Sequence, residues 1–296
     1  MGWARTLASG QVCRVRILDV ATGSVRTVHV DDAVLLEAPN WTHDGRLVLN
    51  GAGVLHRLAV DGSTPPEPVA IDELPELNND HLLAHDGETA FLSANDGNIY
   101  RAPLAGGTAV RITGAPDDRY HFLHGISPDG RRLAYVSLRL AEGWENATIH
   151  TVGTDGADDR AVTVAPGPDD GPEFSIDGEW IYFNTERFST VPGHAQIARV
   201  RPDGSRLEQL TFDDRVNWFP HLAPTGDRAV YLSFPPGTQG HPADLHVQLR
   251  LVEADDWARS RVAVELFGGQ GTINVNSWSP DGRELAFVDY PQDGPG

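Results

Sequence analysis

The run His124-Gly125-Ile126-Ser127-Pro128-Asp129-Gly130-Arg131-Arg132-Leu133-Ala134-Tyr135-Val136-Ser137 reads as two strands joined by a tight turn. Pro128 presets φ, Asp129 and Gly130 tolerate the turn, and apolar residues resume at Leu133, Tyr135 and Val136. The phrase recurs along the chain. It reads Trp41-Thr42-His43-Asp44-Gly45-Arg46, Ala84-His85-Asp86-Gly87-Glu88 and Ser175-Ile176-Asp177-Gly178-Glu179, then Ala223-Pro224-Thr225-Gly226-Asp227 and Ser279-Pro280-Asp281-Gly282-Arg283. The turn glycines at 45, 87, 130, 178, 226 and 282 are 42, 43, 48, 48 and 56 residues apart. A repeat of that length is one four-stranded propeller blade, a unit that cannot bury its faces alone. Six copies predict an all-β, six-bladed β-propeller, one domain over residues 1–296 with flexible ends at 1–10 and 291–296.

The ends of the chain predict how the ring closes. Later repeats contain a second hairpin, Ile99 to Thr113, Ile149 to Thr163 and Ile197 to Thr211, each turning at glycine. The last repeat stops at Tyr290, after its first hairpin only. Residues 12–30 form a spare hairpin, with Val12, Val15, Ile17 and Val20 before Gly23 and Val25, Val28 and Val30 after it. Strands from the N-terminus are therefore expected to complete the C-terminal blade, which removes an open sheet edge.

Composition excludes several classes. The charge is −19, from 42 acidic and 23 basic residues, and every basic residue is Arg. Phosphate binding needs clustered positive charge, so neither nucleic acid nor an anionic membrane is an expected partner. A single cysteine, Cys13, excludes an internal disulfide and a cysteine zinc cluster. The first ten residues lack the apolar run of a signal peptide, so a cytoplasmic protein is expected.

The tight Asp-Gly turns mark one face of the ring, and the long connections 138–147, 185–195, 235–246 and 267–272 mark the other, where function is expected. The inner strand of each blade lines the channel. Eight residues before each turn glycine stand Glu37, Asn79, Phe122, Asp170, Trp218 and Asn274; six before stand Pro39, His81, His124, Pro172, Pro220 and Asn276. Residues two apart share a strand face, so a polar mouth is expected, with His221 one position out of step.

The Ser-Pro-Asp-Gly hairpins resemble the WD40-like repeats of TolB-type six-bladed propellers, over about Val12 to Tyr290. The segments Asn78-Asn79-Asp80-His81, Asp169-Asp170-Gly171-Pro172, Trp218-Phe219-Pro220-His221, Gly240-His241-Pro242 and Gly271-Thr272-Ile273-Asn274-Val275 are similar to those of stand-alone bacterial TolB-like proteins. That resemblance implies the fold and says little of activity. Prolyl-oligopeptidase-like peptidases use the same repeat but need a Gly-x-Ser-x-Gly elbow, which is absent. Oligogalacturonate lyases also resemble this repeat, and they gather histidines around a divalent metal at the channel mouth.

Two readings of the mouth follow. In the first, His81, His124 and His221 are catalytic or ligate one divalent metal (Mn, Zn or Ca), and Asp170 assists. Glu37, Asn79, Glu173, Asn217, Trp218, His241, Asn274 and Asn276 then bind a saccharide-like ligand for a lyase or hydrolase. Trp144 is a further stacking candidate, and Trp3, Trp41, Trp180, Trp257 and Trp278 are read as packing between blades. In the second, the imidazoles steady neighbouring strands, the carboxylates cap turns, and the same face binds a peptide or protein partner.

Overall fold

A computed structural model describes residues 5–114, 118–253 and 255–292. Five four-stranded antiparallel sheets follow one another along the chain. Their inner strands are Leu36–Trp41, Leu77–Leu83, Arg119–Ile126, Asp169–Phe174 and Val216–Leu222. The sixth blade combines Glu284–Asp289 with the N-terminal strands Cys13–Asp19 and Val25–Asp31. Val15 faces Val288 and Ile17 faces Ala286, so both ends of the chain share this blade, as expected. Among the described residues no helix is long and apolar enough to cross a membrane.

Each turn glycine has a left-handed φ, from 68° at Gly282 to 78° at Gly45. A β-carbon is disfavoured there, which is why the repeat keeps Gly at this step. The preceding aspartate holds the turn: Asp129 accepts from the Ser127 hydroxyl at 2.6 Å and the Arg131 amide at 3.1 Å. The second hairpins carry their own fastener. The Thr113, Thr163 and Thr211 hydroxyls accept from the amides of Ile99, Ile149 and Ile197 at 2.9–3.0 Å.

The core lies between blades. Leu18, Leu285 and Phe287 of the sixth blade join Phe219, Val230 and Leu232 of the fifth in one cluster. On its other side Val15, Ile17, Ala286 and Val288 pack with Leu36, Leu47 and Leu49 of the first. Each such side chain contributes about 1.5–3 kcal/mol of burial. Trp257 stacks on Tyr182 and Tyr231, and Arg199 and Arg201 lie over Trp180, in keeping with a packing role. Trp3 lies outside the described residues.

The two ends of the chain meet: Val12 donates to Pro291, Gln11 bridges Gln292, and Arg5 pairs with Glu37 at 3.0 Å. Residues 1–4 and 293–296 lie outside the described residues. One expectation is corrected: the sixth blade has no regular inner strand. Between Gly271 and Trp278 the irregular chain meets Glu284–Asp289 at the Trp278–Leu285 bridge and by the amides of Ala286 and Val288 donating to Ser277 O and Thr272 O.

Inner strands of neighbouring blades approach closely at Gly125. A β-carbon there would lie 2.5 Å from the Pro172 carbonyl oxygen and 3.2 Å from Glu173 Cα. Backbone cannot swing away as a side-chain tip can, so Gly125→Ala is expected to cost about 2–3 kcal/mol. The midpoint of urea unfolding measures it, and an unchanged midpoint would contradict the packing described.

Candidate active site

Every regular inner strand carries a bulge. Register slips between Glu37 and Asn40, Leu77 and His81, Leu123 and Gly125, Asp170 and Glu173, and Trp218 and His221. Three of the residues inserted there, Ala38, Gly171 and Phe219, take left-handed φ values of 54°, 64° and 54°. For Ala38 and Phe219 this costs about 1–2 kcal/mol. Hydrogen bonds hold the conformation: Ala38 N–H donates to Gly271 O at 2.7 Å, and Phe219 N–H to Asn184 Oδ1 at 3.1 Å. Bulges re-aim side chains, and here they turn residues toward the axis.

The resulting cavity, about 230 Å³, opens on the long-connection face. Of the predicted residues it gathers Glu37, Asn79, His124, Asp170, His241 and Asn274. It also draws in Phe122, from the same eight-back set, and residues the sequence reading missed, among them Arg5, Asn50, Asp80, Phe219 and Gln270. Trp144, the stacking candidate, lies beside Phe122 with ring centroids 5.7 Å apart.

His124 is the hub. Its Nε2 lies 3.2 Å from Asp170 Oδ1 and 4.0 Å from Asp80 Oδ1, and its Nδ1–H donates to the Asn274 carbonyl at 3.1 Å. Burial alone would lower its pKa, but the two aspartates and the carbonyl overcome this and raise it to about 9. The ring is therefore an imidazolium. Burial would raise the pKa of Asp170, yet His124, His241 and the Gly171 amide hold it below its ordinary value. Asp80 goes the other way, pushed up to about 7 by burial with help from Asp170 and Glu37, against opposition from His124 and Asn274. Two carboxyl groups beside one imidazolium are thus separated in acidity.

Above them His241 packs against Trp218 at a 59° tilt, with ring centroids 4.4 Å apart, and meets Phe219 edge-on. Its Nδ1–H donates to Gln270 Oε1, and Nε2 lies 3.8 Å from Asp170 Oδ2. Burial lowers its pKa, and the charge of His124 adds to that, so the ring is neutral with Nε2 as an acceptor. Glu37 is covered by Arg5, whose guanidinium also meets the Gln270 carbonyl and the face of Tyr290. Asn79 links Glu37, Gln270 and Asn274 through bonds of 3.3–3.4 Å.

The remaining predicted residues lie elsewhere. His221 Nδ1 meets Glu173 Oε2 at 2.7 Å, and its Nε2–H donates to the Ile273 carbonyl at 2.6 Å. Glu173 also accepts from the Leu222 amide and Asn276, so all three steady the channel wall below the cavity. His81 is buried off the cavity with neither ring nitrogen hydrogen-bonded, and burial lowers its pKa to about 4. Asn217 is fully buried on Thr211, Asp213 and Ser233, and Trp218 backs His241 rather than facing the cavity. The three imidazoles do not converge. With both nitrogens of His124 and His221 engaged, neither ring offers a lone pair, so these residues do not fit a divalent metal. Among the described residues no group of three or more His, Cys, Asp or Glu side chains is disposed to hold one.

His124 and His221 instead share one task. They grip consecutive carbonyls, Asn274 and Ile273, of the irregular inner segment of the sixth blade. Without a ladder partner, that backbone is satisfied by imidazoles from the third and fifth blades.

A six-bladed propeller whose bulged inner strands build a polar axial cavity is the class that fold and site define. No family model matches the chain. An uncharacterized protein of Agrobacterium fabrum, Atu1656, is 37% identical over 281 residues, 93% of this chain and 92% of that protein. A solved structure of a provisionally named TolB from Agrobacterium tumefaciens superposes with a TM-score of 0.86 at 37% identity, covering 95% of this chain and 99% of that one. The chain belongs to the TolB-like six-bladed β-propellers. An oligogalacturonate lyase in complex with manganese shares the fold at 14% identity, with a TM-score of 0.59 over 95% of this chain and 78% of that one.

Proposed function

We propose that the axial cavity is the active site of an enzyme of the lyase or hydrolase type acting on a small, polar, saccharide-like ligand. The observation that carries this is a cavity joining a partly exposed aromatic pair, Phe122 and Trp144, to two aspartates held apart in acidity by one imidazolium. The ring faces suit the apolar face of a sugar, and the amides of Asn78, Asn79, Asn274 and Gln270 suit its hydroxyls. His241 Nε2 serves as proton acceptor, and Asp80, with a pKa near neutrality, holds or releases the second proton. His124 touches both aspartates and keeps Asp170 ionised, so its part is electrostatic and positional.

The test is a screen of neutral, acidic and amino disaccharides for new reducing ends and for unsaturated products. Turnover of one class, abolished in Asp80→Asn, is the expected result. No turnover of any member, together with binding that pocket substitutions leave unchanged, would sink the reading.

A noncatalytic reading has its own observation. Val164 and Phe212 are 73% and 71% exposed, with Phe188 and Val191 between them in sequence, all in connections on the cavity-bearing face. Such exposure suits docking of a peptide or protein partner across the same mouth.

A further inference from the structure

Assuming that the cavity takes a small polar ligand, we infer that this ligand is a cation: a polyhydroxy molecule carrying a protonated amine, of the amino-sugar kind. Among the residues lining the cavity, the buried side-chain atoms left without a hydrogen-bond partner are acceptors. Asp80 is 5% exposed, lines the cavity, and its Oδ1 makes no hydrogen bond. Oδ1 of Asn50, which also lines the cavity, makes none either. His241 Nε2 adds a third acceptor, since the Nδ1 proton is committed to Gln270.

The positive groups, by contrast, are already spent. Both N–H groups of His124 are aimed at Asn274 O and the aspartates. Arg5 is shared among Glu37, the Gln270 carbonyl, Asp244 and the Tyr290 ring. A uronate arriving here would bring a carboxylate to carboxylates and find no uncommitted cation, at a cost that like charges impose in a desolvated site. An ammonium group would give Asp80 Oδ1 the charge-assisted hydrogen bond it lacks. Phe122, Trp144 and Phe219 line the cavity, and the face of an aromatic ring favours a cation over an anion. The charge of −19 acts in the same sense at long range, drawing cations toward the molecule. The acidity of Asp80 agrees with the geometry, because burial pushes up a carboxyl whose cation, His124, lies 4.0 Å away and closer to Asp170.

Glucosamine, glucose and galacturonate share a pyranose frame and differ in charge, so they separate the possibilities. Titrated into the whole protein near neutral pH and followed by calorimetry and tryptophan fluorescence, glucosamine is expected to bind at least about tenfold more tightly than glucose, with galacturonate weakest. Asp80→Asn should bring glucosamine down to the level of glucose. Glucose or galacturonate binding as tightly as glucosamine to the wild type would overturn the cation inference and leave the small-ligand reading standing. Failure of all three to bind would overturn both. The wild-type comparison decides the matter even if Asp80→Asn folds poorly.

Discussion

Replacing His124 by Ala is expected to lower the free energy of unfolding by about 3–5 kcal/mol, the range for stripping one partner from a buried charge cluster. The substitution leaves Asp80 and Asp170 facing each other without the cation between them. It also frees the Asn274 carbonyl of the irregular sixth-blade segment. A fall of about 10 °C in Tm corresponds to that loss in a chain of this size.

The wild type should show the same interaction through pH. The folded imidazole keeps its proton up to about 9, whereas the unfolded one releases it near 6.5. The stabilisation is therefore complete below pH 6.5, declines through the interval from 6.5 to 9, and is absent above 9. The slope reaches about 1.4 kcal/mol per pH unit at most. Asp80, raised from 3.8 to about 7, contributes in the same direction at lower pH. Asp170, held below its ordinary value, contributes stability that is lost only as pH falls through its depressed pKa. Calorimetric Tm against pH, compared between wild type and His124→Gln, checks this. A wild-type Tm that stays level from pH 6.5 to 9 would contradict the placement of His124 between the aspartates.

The turn phrase made the ring legible, because a left-handed glycine and its aspartate cap are local requirements that repeat wherever the hairpin repeats. Closure by both termini was legible for a related reason, a spare hairpin at one end matching a missing one at the other. The cavity was only half legible. Counting eight back from each turn glycine finds Glu37, Asn79, Phe122, Asp170 and Asn274, all of which line it. Counting six back assumes an unbroken two-residue alternation, and the bulge at the intervening position destroys that. Hence Asp80 and Phe219, seven back, line the cavity with His124, six back and itself at a bulge, while His81, six back, and His221, five back, do not.

A signal was present. Gly171 within a strand pattern and three consecutive polar residues, Asn78 to Asp80, both violate strand alternation. Arg5 carried no such signal, since it precedes the repeat and reaches Glu37 only because the ring closes. The metal reading failed on geometry of a different kind. That reading needs His81, His124 and His221 to converge, whereas His124 and His221 are committed to backbone carbonyls that a missing strand left unpaired.

His241→Gln is expected to cut turnover by about 10²- to 10⁴-fold, the contribution of a positioned proton-transfer group, while Tm changes little. Glutamine keeps much of the bulk and a donor for Gln270 Oε1 but has no basic nitrogen near neutrality. Because His241 sits in the connection between the strands Arg228–Phe234 and Leu245–Glu253, no sheet hydrogen bond depends on its side chain. The loss should fall on kcat rather than KM, and the acid limb of the kcat–pH profile, which reports protonation of the neutral ring, should disappear with it. Trp144→Ala provides the opposite signature: its exposed ring stacks beside Phe122 and an indole carries no proton to transfer, so KM should rise with kcat largely kept. Steady-state kinetics on the disaccharide class found by the product screen separate the two. A His241→Gln enzyme that keeps the wild-type kcat would remove His241 from the chemistry. If Trp144→Ala then also left binding unchanged, what remained of the exposed face would favour a docking surface over an active site.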